Sequence, residues 1–197
     1  MSRHANIFAR FGASLYTAEG HLARFGQLAE RGSAVAAVRH LAEAAHAGLP
    51  AARSQLGVCY LHGLGVPVSL AEARHWLELA AEAGDATAQT ELASLALRGI
   101  SGPYERGPFV SPEDAARAQP DHRLAADLAR RAAASGSAQA QALLAFIIGM
   151  APEMAEAPDE ADALYLESSE AGWPLGQLGH AMVMLRAGTF ESMREAR

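Results

Sequence analysis

The groups that could do chemistry in this 197-residue chain are few and scattered. Its histidines are His4, His21, His40, His46, His62, His75, His122 and His180, and no two lie four apart on one helix, so the paired imidazole face of a helical metal site is missing. Asp159 and Asp162 would share a helix face, but acids at the start of a helix are explained by its dipole. Glu72, Glu78 and Glu82 fall on the polar side of a helix. All 16 basic residues are Arg, which removes the lysine that a Schiff base or a phosphate-binding loop requires. No His-Glu-x-x-His pair, Gly-x-Ser-x-Gly elbow or Gly-x-Gly-x-x-Gly turn is present. The single cysteine, Cys59, lies among apolar residues and has no partner for an internal disulfide. The expectation is therefore no catalytic residue, no metal and no cofactor. What remains is contact chemistry: Tyr104, Arg106 and Phe109 in a Pro- and Gly-rich stretch, and polar and apolar side chains spaced along helices.

Those helices are repeats. Gly48, Gly84, Gly136 and Gly172 are spaced 36, 52 and 36 apart; Ala37, Ala73, Ala125 and Ala161 each precede one of them by eleven residues, and Leu56, Leu92 and Leu144 each follow one by eight. A period of 36 accommodates one helix-turn-helix unit, which cannot bury its apolar face alone and must stack on its neighbours. The spacing predicts an all-α solenoid of about four such repeats in a single domain, 1–197. A degenerate cap occupies 1–48, and repeats follow at 49–84, 85–136 and 137–172, with a final helix and cap at 173–197. In the first full repeat, helix A is expected over 51–62 and a second helix from Ser69, which forms a capping box with Glu72. Ala73, Trp76, Leu77, Ala80 and Ala81 make its apolar stripe, and Gly84 stops it. Asp85 is placed to cap the next helix, and Asp121 marks the start of another. The longer spacing of 52 comes from a loop inserted at 101–120, in which Ser111-Pro112-Glu113-Asp114 predicts a short helix to about residue 118. Residues 190–197 could form a short capping helix.

Leu56-Gly57-x-x-Tyr60-x-x-Gly63-x-Gly65-Val66, Ala73-x-x-Trp76 and Ala80-Ala81-x-x-Gly84-x-x-x-Ala88-Gln89 resemble the Sel-1-like repeat pattern. The match continues as Ala132-Ala133-x-x-Gly136-x-x-x-Ala140-Gln141, with Leu128 in place of the tryptophan and Ile148 in place of the tyrosine. The resemblance covers residues 35–188 and implies a right-handed α/α superhelix related to tetratricopeptide repeats, whose members act mostly as adaptors. A cysteine-rich branch linked to β-lactam binding is disfavoured by the lone cysteine.

The expected function is a non-catalytic scaffold that holds a protein or peptide in the groove lined by the first helix of each repeat. Counted outward from the internal stripe, the groove-facing residues are Ser54, Val58, Leu61 and His62; then Thr90, Ser94, Leu97 and Arg98; then Phe146 and Met150; and finally Leu178, Met182 and Arg186. The inserted loop adds Tyr104, Arg106 and Phe109. The alternative is an enzyme or regulatory subunit with a small-molecule pocket formed by that loop. Self-association through the C-terminal helix face is a further option. A net charge of −6 argues against a nucleic-acid partner. Seven acids and no Arg lie between Arg131 and Arg186, which reads as a solvated helix face ahead of an acidic docking patch. With no apolar run of signal-peptide or membrane-spanning length, the expected location is cytoplasmic, or periplasmic if a leader has been removed.

Overall fold

The computed structural model describes residues 17–100 and 119–195, and among them the chain is helical with no strand. In order, the helices are α1 (Ala18–Glu30), α2 (Ala34–His46), α3 (Pro50–His62), α4 (Leu70–Glu82), α5 (Ala86–Leu97), α6 (His122–Ala134), α7 (Ala138–Met150), α8 (Glu160–Glu170) and α9 (Pro174–Glu195). A single 3-10 turn, Pro152–Met154, stands in the connection before α8. The loop residues Tyr104, Arg106 and Phe109, and the short helix expected before residue 118, lie outside the described residues.

Local chemistry sets several of the helix ends. Ser69 Oγ accepts from the Glu72 amide at 3.3 Å, Asp85 Oδ1 from Ala88 at 2.9 Å and Asp121 Oδ1 from Leu124 at 2.9 Å, each satisfying a donor that the helix itself leaves unpaired. At the end of α4 the Gly84 amide donates to Ala81 O and that of Asp85 to Ala80 O, both at 3.0 Å. This Schellman closure holds Gly84 at φ 87°, a left-handed conformation that costs a side-chain-bearing residue energy.

The described residues fall into two compact units, one ending at Ala88 and the other starting at Gln89. In the first, Leu41, Ala44, Ala45, Ala52, Leu56, Cys59 and Trp76 form the core. The α3 and α4 backbones approach so closely that a Cβ on Gly57 would stand 2.6 Å from Leu77 Cγ and 3.1 Å from Ala73 O. His46 meets the Trp76 ring edge-on at 4.9 Å. In the second unit the core is Ala93, Ala96, Ala125, Ala126 and Ala129 against Leu144, Ile147 and Ile148. Alanine is the commonest residue of both cores, because small side chains let helices lie close. Within this unit α7 packs on α8, α8 on α9, and α7 also on α9, so first helices of successive repeats touch.

One expectation fails at the C-terminus. Among the described residues no separate capping helix begins after 190; α9 runs unbroken from Pro174 to Glu195, because Gly188 stays helical and does not act as a stop.

Candidate functional site

Among the described residues, each unit presents a cleft on a first-helix face. In the second unit a cleft of about 390 Å³ is walled by Leu143 and Phe146 from α7 and by Leu175, Leu178 and Met182 from α9. Tyr165 of α8 completes the lining. Apart from Gln139 and Gln141 helix α7 is apolar; its inward stripe buries Leu144, Ile147 and Ile148, which turns Phe146 and Met150 outward at 50% and 48% exposure. Gly179 explains why Tyr165 can lie against α9: a Cβ there would overlap the ring. Burial pushes the Tyr165 hydroxyl above its ordinary range, and no Asp, Glu, Arg or His lines the cleft, so it carries no charge at neutral pH. One turn beyond Met182, Arg186 Nη2 donates to Asp162 Oδ1 and Oδ2 at 3.1 and 2.9 Å, tying α9 to α8.

The first unit has a cleft of about 330 Å³ with a different lining. Phe25 comes from α1, Ser54, Val58 and Cys59 from α3, Leu64 from the following turn, and Asp85 and Thr87 from the head of α5. Ser54 is not on an open surface as expected; it is 2% exposed, and its Oγ has no hydrogen-bond partner. Burial raises the pKa of the Cys59 thiol, leaving it protonated and unfit as a nucleophile.

The structure brings Ser54 and Val58 to one cleft and Phe146 and Met182 to the other. His62 and Met150 are exposed last residues of their helices, and neither lines a cleft; nor do Arg98, which is exposed, and Ser94, which is half-buried. Arg186 is engaged with Asp162.

The acidic stretch of the second unit is largely committed to structure. Arg130 donates to Glu160 at 3.1 Å and to the Met154 carbonyl at 2.9 Å, and its Nε lies 3.0 Å from Glu156. Burial opposes ionisation of Glu160, but the Glu156 amide and the Arg130 guanidinium outweigh it and hold the carboxyl below its ordinary range. Gln141 donates to Glu167 at 2.7 Å. Elsewhere, His21 and His40 meet through their Nδ1 atoms at 3.1 Å. Among the described residues no three His, Cys, Asp or Glu side chains stand where they could hold a metal ion, and no helix is long and apolar enough to cross a membrane.

Several of the cleft residues not anticipated from sequence occupy two recurring offsets. Ala51 and Leu175 lie three residues after a stop glycine, and Gln55, Leu143 and Gly179 lie seven after one. The anticipated residues lie six and ten after it. Offsets of three, six, seven and ten form one helical stripe, so periodicity alone could have supplied the missing pair.

The Sel1 repeat family model matches residues 50–85 and 86–137. Among solved structures, a Sel1 repeat protein from Oxalobacter formigenes superposes with a TM-score of 0.63 at 23% identity, over 80% of this chain and 60% of that one. A protective antigen present in uropathogenic Escherichia coli strains, displaying an SLR fold, gives a TM-score of 0.70 at 20% identity over 88% of this chain. The chain thus spans 60% and 35% of the lengths of these two, and the likeness carries the fold, an α/α solenoid. No curated protein matches the sequence.

Proposed function

We propose that this Sel1-repeat protein is a non-catalytic interaction scaffold whose C-terminal cleft receives the apolar face of a partner protein's helix. Sel1-repeat proteins are generally protein-interaction scaffolds. The observation that carries the reading for this chain is the convergence of Phe146, Leu178 and Met182, 50%, 59% and 62% exposed, on one uncharged cleft. Exposed apolar side chains gathered in a groove are the signature of a docking surface, and methionine adapts its shape to an apolar partner. The inserted loop, with Tyr104, Arg106 and Phe109, is proposed as a second contact element, since the other repeats join the same helices without it. The chain has no lysine, and its only thiol is buried.

The test is the double variant Phe146→Ser/Met182→Ser. Both side chains are exposed, so the melting temperature should hold, while crosslinked capture of the native partner falls tenfold or more. Undiminished capture would overturn the reading. A variant that captures its partner less and also changes from dimer to monomer would instead assign the cleft to a second copy of the chain.

A further inference from the structure

Positions nine and twelve after the stop glycine are covered in three repeats and bare in the last. They are Gly57 and Tyr60 in α3, Ala93 and Ala96 in α5, and Ala145 and Ile148 in α7. All are buried except Tyr60, which packs half-buried on the core. In α9 they are Ala181 and Met184, and both are exposed, Met184 at 61%. Leu185 beside them is 71% exposed, and a Cβ on Gly188 would meet nothing within 4 Å. Helix α9 packs on α7 and α8, and among the described residues no later helix covers its other side. The repeat's own turn is missing as well. Fifteen residues after the stop glycine, Gly63 and Gly99 take left-handed φ values of 71° and 72° after α3 and α5, and in the third repeat Pro152 follows that position. In the fourth, Ala187 stands there with no proline next to it, and α9 runs on to 22 residues where α3, α5 and α7 have 13, 12 and 13. The chain therefore does not fold back on Ala181 and Met184 at the register the other repeats use.

The bare side of α9 is itself the stripe of a second helix. In the second helices a small residue is followed three positions on by a large one and seven positions on by another small one: Ala73, Trp76 and Ala80 in α4; Ala125, Leu128 and Ala132 in α6; Ala161, Leu164 and Ser168 in α8. Ala181, Met184 and Gly188 repeat that spacing. We infer that a second copy of this chain supplies the helix that α9 lacks, two α9 helices pairing antiparallel about a twofold axis between Met184 and Leu185. The two helices of a hairpin run antiparallel, and a twofold axis across one helix generates the same arrangement from that helix alone. The stripe also has the symmetry such a contact demands. With the axis between Met184 and Leu185, Ala181 of one copy faces Gly188 of the other, so the backbones can close as those of α3 and α4 do at Gly57, while Met184 and Leu185 of both copies interdigitate at the centre. A partner of different sequence would require no such symmetry of α9. The inference goes beyond the reading of the C-terminal cleft and does not depend on it, since Leu175, Leu178 and Met182 line that cleft from a neighbouring side of α9.

Sedimentation of the full chain from about 1 to 200 µM should show monomer giving way to dimer, as suits an interface of one helix pair. Met184→Asp changes an exposed side chain, so helicity should hold while the dimer Kd rises about tenfold or more. Phe146→Ser/Met182→Ser should dimerise as the unaltered chain does. Oxidation reads the register: Ala181→Cys mixed with Gly188→Cys should give covalent dimers containing one of each. Ala181→Cys alone should not, because its two copies lie seven residues apart along the paired helices, about 10 Å at 1.5 Å per residue, beyond the reach of a disulfide. Cys59 is buried and takes no part. A chain that stays monomeric at the highest concentration, a dimer indifferent to Met184→Asp, no covalent dimer from the mixture, or crosslinking of Ala181→Cys to itself would each overturn the inference. So would loss of the dimer in Phe146→Ser/Met182→Ser, which would move the contact into the cleft.

Discussion

The clefts of the two units are built at the same repeat positions and end in opposite chemistry. Six residues after the stop glycine the first unit has Ser54, and the second has Ala142 and Leu178; ten after it stand Val58 in one, Phe146 and Met182 in the other. The hairpin scaffold therefore fixes where side chains converge, while the residue at each position decides what they can hold. One cleft keeps an orphaned hydroxyl and a carboxylate, and the other has only apolar atoms and a neutral phenol.

The scaffold half of this comparison is the easiest to break. Nine residues after the stop glycine lies Gly57 in the first unit and the buried Ala145 in the second. Because a Cβ at Gly57 would press on Leu77 Cγ and on backbone at Ala73, Gly57→Ala should destabilise the protein by about 2 kcal/mol through overpacking. Ala145→Gly lacks any such clash and should cost about 1 kcal/mol, through lost helix propensity. Urea midpoints for both variants decide the matter, and equal losses would mean that the helices of the first unit are not packed more closely.

Much of this was legible in the residues and some was not. Stop glycines, caps and the 36-residue period rest on backbone rules, so Gly84, Asp85 and Asp121 behave as read. The cleft positions at offsets six and ten followed from helix periodicity. His62, Met150 and Arg186 share that stripe, but the first two fall at helix ends and Arg186 is held by an acid from α8, a tertiary contact that no local pattern announces. The structural use of the acidic stretch was hidden for the same reason, since Arg130 lies 30 residues before Glu160. The floor at Tyr165 was signalled only by Gly176 and Gly179, one turn apart on α9, where side chains would collide with Ser168 and Tyr165.

Exchanging the chemistry of the two floors sharpens the comparison further. Ser54→Ala removes a hydroxyl that bonds nothing, so stability should stay level or rise slightly. Ala142→Ser places one where the residue is 1% exposed, at a cost of about 1 kcal/mol if no partner is found. Calorimetry on both variants measures the pair. A loss of stability in Ser54→Ala would mean that the hydroxyl supports the fold.

The smallest expected difference is in how the units respond to acid. Burial is the leading cause that lowers the His40 pKa from 6.5; the nearby charges of His21, Arg24 and Arg39 add to it and Glu43 opposes it. The unfolded chain therefore takes up that proton first as pH falls. The contribution of His40 to stability is complete above about 6.5 and declines as pH drops from there toward the depressed folded value. Glu160 in the second unit is a carboxyl whose folded pKa lies below 4.5, so its stabilisation is present above 4.5 and is lost as pH falls through the folded value. Between pH 7 and pH 5 the amides of α2 should thus lose protection from hydrogen exchange while those of α6 and α8 hold theirs, and His40→Asn should remove that step. Parallel loss in both units, or an unchanged α2, would show that the His21–His40 contact does not govern the acid response of the first unit.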